Sequence, residues 1–383
     1  MSLTRKLAII THEYHPVLSG GTIFTEKLAG ELSKIGWEVD ILTARVGDGH
    51  PALEEGAGFR VRRFRTARSS TADSSLREHL SYFLLGLPQM TAFARSRGYD
   101  LLFPVFAIPS GLMALGMARV LQVPTVVFVD AADTPGVESA MRSYVRHMTR
   151  LFRFITRRSD GVVICEGLED LALPHIRNPR VTAIPNGTVI PETVARPGQN
   201  GPRLEMLSIG RLVLRKGFDE IIRALSLVKK RRSDFHLRIV GYGKKEDEIR
   251  RVLEEHGIHD NVSMLGRVEY EELAAYYLSS DCYLFYGDRE GSSLAMIEAV
   301  SYGLPLIASD HPGNRAYIKH GESGLLVEHR NPEKLSRAVL DLLEHRDRLP
   351  AMGRASRAIA ESYSWSNVAR RYDEFFRSVL DRA

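Results

Sequence analysis

At 383 residues the chain is too long for one ordinary hydrophobic core, so two domains are expected, and its 44% hydrophobic and 26% charged residues are those of a soluble globular protein. No apolar run approaches the ~20 residues of a membrane span, the N-terminus lacks a signal-peptide layout, and Cys165 and Cys282, each in an apolar run, read as reduced buried thiols of a cytoplasmic protein. A net charge of +5 favours anionic partners without choosing among nucleotide, phospholipid and nucleic acid.

The chain opens with an apolar strand, Leu7 to Ile10, a loop ending in Gly20-Gly21, a helix from Thr22 to Ile35 and a strand from Val39 to Thr43. This βαβ start places a Gly-Gly turn at the carboxyl edge of a doubly wound sheet, but without the G-x-G-x-x-G spacing of a dinucleotide site. Residues 46–75 read as long polar loops around a strand at Phe59 to Phe64. A helix over Leu80 to Arg95, a strand at Leu101 to Val105, a helix over Ser110 to Leu121 and strands at Val123 to Val129 and Val162 to Cys165 follow, a pattern implying a parallel sheet covered on both faces. Between the last two strands, Ser139 to Arg158 repeats arginines at three- and four-residue steps beside Val145, Met148, Leu151, Phe152 and Ile155. That pattern fits either a surface helix packed on the sheet or a basic, apolar face leaning on an anionic bilayer or lipid-linked substrate. A second arginine knot spans Arg60 to Arg68, so the excess positive charge lies in the first half.

After Asn186-Gly187 and a Pro- and Gly-rich stretch from Pro191 to Pro202 the pattern restarts. Strand Leu204 to Ile209 leads to the loop Gly210 to Gly217 and helix Phe218 to Lys229; strand Phe235 to Val240 leads to Gly241-Tyr-Gly243 and a helix from Asp247 to His256. Strand Asn261 to Gly266 and a helix from Tyr270 to Leu278 precede the stretch that organises the chain: strand Asp281 to Tyr286, loop, Glu290 to Glu298, strand Leu304 to Ser309. From Asn331 the chain reads as helical, with helices at Pro332 to Glu344 and Ser366 to Val379. Two α/β layers in tandem are expected to leave a cleft between facing strand ends, a favoured place for a ligand.

The chemistry gathers after two strands. Arg211 offers a planar fork of donors and Lys216 a mobile point charge on one loop, a pair matched to the two charges of a diphosphate. Gly291 lets a ligand approach the backbone, and Ser292 or Ser293 is placed to cap a helix whose first N–H groups suit an anion. Glu290 lies in the loop and Glu298 inside that helix, about 10 Å apart at ~1.5 Å per helical residue, so the two acids can grip separate hydroxyl groups.

The order of these pieces resembles the family 4 retaining glycosyltransferases of the GT-B fold. The resemblance rests on Pro16 with Gly20-Gly21 and Gly36-Trp-Glu-Val39, Ile184-Pro-Asn-Gly187, Gly210-Arg211 with Lys216-Gly217, Val240 to Gly243, Leu265 to Val268, Ser280-Asp281, Glu290 to Glu298 and Gly321 with Gly324 to Val327, nearly the whole chain. It implies an α/β architecture of two Rossmann-like doubly wound parallel-sheet domains facing across a cleft: 1–187 for the acceptor, 188–365 for the nucleotide sugar, and a helix at 366–383 returning towards the first. It implies that Gly210, Arg211 and Lys216 hold the donor diphosphate with Gly241 nearby, and that Glu290 touches the donor sugar. The N–H groups of Gly291, Ser292, Ser293 and Leu294 would meet phosphate and sugar, and Glu298 the ribose. Arg267 and Val268 would lie beside the base, with Gly20 and Gly21 approaching the phosphates from the first domain. Asp130 stands where the family often carries a His against the donor sugar, and the loop after Ile307 has Pro312-Gly313 and Ala316 in place of a Gly pair and a Glu. His12 and His15, near the Gly-Gly turn, are candidates for acceptor contact.

The resemblance therefore implies a metal-independent hexosyltransferase without cofactor. Its donor is a UDP-, GDP- or ADP-linked sugar and its acceptor a glycan, glycolipid or small molecule. It would be cytoplasmic, with possible peripheral contact to an anionic membrane and no nucleic acid partner. Two other readings stay open: a nucleotide-sugar 2-epimerase of the same fold, which needs acids and a His poised to move protons at the sugar, and a sugar-nucleotide-binding protein that has lost catalysis, suggested by Asp130.

Overall fold

The architecture follows from apolar strands long enough to be buried on both faces, each paired with an amphipathic helix. The computed structural model describes residues 4–17, 19–47, 49–56, 58–68, 76–135, 142–287 and 291–382, apart from the side chains of 76 and 142–146. The chain divides into unit 1, Met1–Asn186 with Trp365–Ala383, and unit 2, Gly187–Ser364.

Unit 1 runs β1 (Arg5–Thr11), α1 (Gly20–Lys34), β2 (Trp37–Ala44), β3 (Leu53–Glu55), β4 (Phe59–Phe64), α2 (Leu76–Ser81), α3 (Leu87–Arg97), β5 (Leu101–Pro104), α4 (Leu112–Leu121), β6 (Val126–Val129), α5 (Arg142–Arg158), β7 (Gly161–Cys165), α6 (Glu169–Ala172) and β8 (Val181–Ile184). Its strands order as β3-β4-β2-β1-β5 and β6-β7-β8, and parallel bridges Leu102–Thr125 and Val105–Phe128 join β5 to β6. All pairs are parallel except β3–β4. One face of the sheet packs Met90, Ala94, Met113 and Met117 of α3 and α4. The helix expected over Leu80 to Arg95 is broken by a π-helical turn at Tyr82–Gly86. Pro88, which has no N–H to give the ladder, follows at once and loosens that turn. Pro124 likewise shortens the strand expected from Val123, which begins at Val126.

Unit 2 runs β9 (Leu204–Ile209), α7 (Phe218–Lys229), β10 (Phe235–Val240), α8 (Glu246–Glu255), β11 (Val262–Gly266), α9 (Leu273–Leu278), β12 (Cys282–Phe285), α10 (Leu294–Ser301), β13 (Leu306–Ser309), α11 (Pro312–Arg315), β14 (Gly324–Val327), α12 (Pro332–Glu344) and α13 (Leu349–Ala360). Its six parallel strands order as β11-β10-β9-β12-β13-β14. The final helix, α14 (Trp365–Leu380), belongs to unit 1. There Tyr372 and Phe376 pack on Phe103, and Tyr372 on Phe24 of α1, so α1 and α14 cover the sheet face opposite α3 and α4.

Candidate functional site

In unit 2 the chain builds outward from β9 to β10 and β11, then returns to lay β12 against the other side of β9. The crevice at such a reversal, outside the carboxyl ends of the strands, is where doubly wound sheets bind ligands. Here β9 and β12 share only the register pairs Cys282–Met206 and Tyr283–Leu207 before they part. The Tyr283 hydroxyl fills the split, accepting from Ile209 N–H at 3.2 Å and donating to the Ile209 carbonyl at 3.0 Å.

The loop after β9 carries Arg211 and Lys216. Backbone geometry rather than side-chain packing presses it against its neighbours. At Gly217, φ is +68°, and a Cβ would lie 2.3 Å from the Tyr286 carbonyl oxygen, beyond the end of β12. At Gly241 (φ +145°) a Cβ would lie 1.9 Å from the Gly210 oxygen, and at Gly243 2.5 Å from that of Leu212. Glycine is thus required where the loops after β9, β10 and β12 meet. The aliphatic part of Lys216 passes over Gly210, 3.6 Å from the position of a Cβ there, and its ammonium lies 5.2 Å from the Phe285 ring centroid. Arg211 is exposed on the same loop. The structure therefore brings Gly210, Arg211, Lys216 and Gly241 together at the strand ends.

After β12, Glu290 falls outside the described residues, and the chain resumes at Gly291. Ser293 stands at the N-cap of α10 and makes no capping hydrogen bond through its side chain, and the Ser292 hydroxyl accepts from Tyr317. Tyr317 draws Ser292 into the interior, where it is 3% exposed. Glu298 is buried in the middle of α10. Its Oε1 accepts from the Tyr270 hydroxyl at 2.8 Å and its Oε2 from that of Tyr277 at 2.9 Å, so both oxygens are oriented by tyrosines. Burial, reinforced by the Glu298 charge, pushes the Tyr277 hydroxyl pKa well above its usual value, which keeps it a donor. Val268 packs on the core beside α10, while Arg267 is exposed, its guanidinium 6.0 Å from the Tyr242 ring centroid and 3.3 Å from Glu269. Tyr270, Tyr277, Tyr283 and Tyr317 are additions to the sequence-derived site. The seven-residue step between Tyr270 and Tyr277, two helical turns on one face, was the available signal.

Unit 1 has its own reversal, between β1 and β5. The loop after β1 carries His12 and His15 and ends at Gly20, where α1 begins; Ser19 caps the helix by accepting from Thr22 N–H at 3.2 Å. A Cβ at Gly21 would lie 2.7 Å from the Phe106 ring, and Phe106 itself holds φ +72° at the exit of β5. The structure parts the two histidines. His15 reaches Glu26 of α1 at 2.9 Å. His12 is enclosed beside Arg68, His79 and Tyr82, and burial, then the Arg68 charge, pulls its pKa down to about 3, so the ring is neutral at physiological pH. At the end of β6, Asp130 accepts from Ala131 N–H at 2.7 Å. Asp133, accepting from Ala107 N–H at 2.8 Å, has its pKa raised well above the carboxylate range by burial first and by the Asp130 charge among the lesser causes.

Residues 19–187 match the family model described as a glycosyl transferase 4-like domain, and residues 189–359 that of glycosyl transferases group 1. Over 185 residues the chain is 31% identical to the GDP-mannose-dependent alpha-(1-6)-phosphatidylinositol monomannoside mannosyltransferase of Mycobacterium tuberculosis, covering 46% of this chain and 48% of that relative. The match thus spans about half the length of the curated relative. Among solved structures, the sucrose-phosphate synthase of Thermosynechococcus elongatus superposes with a TM-score of 0.83 at 20% identity, over 99% of this chain and 100% of that one. The Anabaena protein HepE, in complex with UDP-glucose, gives 0.77 at 14% identity over 97% and 99%. Two adjoining family models and the shared architecture of these neighbours lead to one conclusion: the chain belongs to the family 4, group 1 glycosyltransferases and has their GT-B fold of two Rossmann-like domains.

Proposed function

We propose that the protein moves a hexose from a nucleoside-diphosphate sugar to an acceptor hydroxyl with retention of configuration, without a metal ion or cofactor, in the cytoplasm. The observation that carries this reading is the unit 2 reversal point, where a glycine-fitted loop bearing Arg211 and Lys216 lies beside the strand that leads into α10. A nucleotide sugar fits the chemistry of that place: two cations for the diphosphate, the start of α10 for phosphate and sugar oxygens, and Glu298, oriented by Tyr270 and Tyr277, for the ribose hydroxyls. Glu290 is assigned to the donor sugar. The nucleotide sugar named for the mannosyltransferase relative and the UDP-glucose bound by HepE support the donor class.

In the reaction the bond from the anomeric carbon to the diphosphate oxygen breaks, and its electron pair leaves with the diphosphate. Arg211 and Lys216 stabilise the growing negative charge, which lowers the barrier because those charges are already in place. The acceptor oxygen bonds to the carbon on the face the diphosphate vacates, and its proton passes to the departing phosphate oxygen. The acceptor is a hydroxyl of a glycan, glycolipid or small molecule.

Incubation with labelled UDP-, GDP- and ADP-hexoses in the presence of EDTA tests the proposal. Slow release of free sugar from one donor, with the α anomer retained when an acceptor is supplied, is the expected result. Isomerised donor would instead identify an epimerase, and binding without turnover a silent module.

A further inference from the structure

The two helical coverings of the unit 1 sheet differ in charge. On one face, α1 alternates Glu26, Lys27, Glu31 and Lys34, and α14 sets Arg370, Arg371 and Arg377 beside Asp373 and Glu374. On the other face lie α2, α3, α4 and α5. Residues 76–97, 107–121 and 142–158 hold three, one and six arginines, of which Arg97 is ion-paired with Glu38 and Asp40, no lysine and a single acid, Glu78, which is buried.

Apolar side chains also reach solvent on that layer. Helix α5 turns Phe152 and Ile155 into the sheet and leaves Arg150, Arg153, Arg157 and Arg158 exposed, with Phe154 among them 48% exposed. At the start of the layer Leu80, Leu84 and Leu85 are 53%, 75% and 50% exposed, a ridge at steps of four and five residues along one helical path. Single exposed leucines need no explanation, but a leucine ridge on an arginine-rich, acid-poor layer does. Arginine with exposed Leu and Phe is the composition of surfaces that lie in the lipid headgroup boundary. Among the described residues no helix is long and apolar enough to cross a membrane, so such a contact would be peripheral.

We infer that the α2–α5 face of unit 1 is a docking surface for an anionic lipid bilayer, with the α5 arginines on lipid phosphates and the Leu84 ridge in the headgroup–acyl boundary. A nucleic acid would satisfy the arginines but leave the leucines in water, so the bilayer is the occupant that uses both. This surface belongs to unit 1 and the proposed donor site to unit 2, so its assignment does not depend on the transfer reaction.

Sedimentation of the full chain with vesicles tests it, comparing mixed phosphatidylglycerol and phosphatidylcholine with phosphatidylcholine alone. The protein is expected to pellet with the anionic vesicles only. Replacing Arg150, Arg153 and Arg157 by Gln should lower partitioning about a hundredfold, at about fivefold per charge near an anionic surface. Leu84→Ser should lower it several-fold at an ionic strength where the charges are already screened, and the double variant Lys27→Gln, Lys34→Gln on the opposite face should leave it unchanged. Equal binding to neutral vesicles, an equal loss in the α1 variant, or retention on single-stranded RNA without vesicle binding overturns the inference. The thermal shift produced by UDP, GDP and ADP is read on the same arginine variant. An unchanged shift there ties a loss of vesicle binding to the surface, whereas absence of any shift in the unaltered protein counts against the donor site alone.

Discussion

The two sheets place chemistry at the same kind of reversal point by different physical means. In unit 2 the backbone sets the site: Gly217, Gly241 and Gly243 let three loops approach to distances no side chain allows, and the buried carboxylate of Glu298 is held by two tyrosine donors. In unit 1 buried titratable groups, His12 and Asp133, crowd the carboxyl edge, with protonation governed mainly by burial. Unit 2 thus sets fixed charge beside close-packed backbone, whereas in unit 1 burial lowers the pKa of His12 and raises that of Asp133, disfavouring the charged form of each.

The sharpest way to break the contrast is at the glycines. Gly241→Val puts two γ-carbons behind a Cβ that already has no room and demands φ +145° of a β-branched residue. We expect a loss of several kcal/mol in unit 2 stability, in line with about 1–3 kcal/mol for the strained backbone plus the overpacking penalty, read as a large fall in melting temperature and loss of any nucleoside-diphosphate shift. Next comes Lys216→Ala, which leaves the fold intact. A charge-assisted contact is worth about 1.5–3 kcal/mol, so nucleoside-diphosphate affinity should fall roughly ten- to hundredfold in calorimetry, with a smaller loss for the monophosphate. Equal losses for both ligands would move the lysine off the β-phosphate.

Tyr277→Phe sharpens the comparison at a lower level. It removes the donor to Glu298 Oε2 while keeping the ring that stacks on Tyr302 at 5.0 Å. A stability loss of about 1–3 kcal/mol is expected from the under-satisfied buried carboxylate, together with weaker binding of ribonucleotides than of 2′-deoxyribonucleotides relative to the unaltered protein. A variant that loses stability but treats the two sugars as before would make Glu298 a structural acid.

Unit 2 was the more legible half of the sequence. β9, α7, β10 and α12 occupy the bounds their periodicity indicates, because uninterrupted apolar runs and clean amphipathic helices leave no competing arrangement. The loop cations could be named because they lie between a strand and a helix in sequence. The tyrosines that hold Glu298 and Ser292 were hidden, since Tyr317 meets Ser292 across 25 residues and only the fold makes them neighbours. Helix α13 carried a weak signal for a related reason: it is rich in Ala, Gly and Ser because it packs tightly, a Cβ at Gly353 falling 2.5 Å from the Gly303 oxygen. In unit 1 prolines at 88 and 124 shift element ends that periodicity alone extends. The enclosure of His12 follows from contacts with residues 68, 79 and 82 that no local pattern encodes.

The smallest effect at neutral pH belongs to His12, and it becomes visible only on acidification. Its folded pKa, about 3, lies below the 6.5 of an unperturbed imidazole. Between those values the unfolded chain takes up a proton that the folded protein refuses, so stability falls as pH drops through 6.5 and levels off near 3. The slope contributed by one such group is at most about 1.4 kcal/mol per pH unit. His12→Asn, which keeps a short polar side chain without a titration in this range, should leave the melting temperature at pH 7.5 within a few degrees of the unaltered protein. It should also flatten the decline between pH 6 and pH 4. A variant that declines as steeply would mean that the proton taken up in this window belongs to another group, and that His12 meets solvent rather than an enclosed polar pocket.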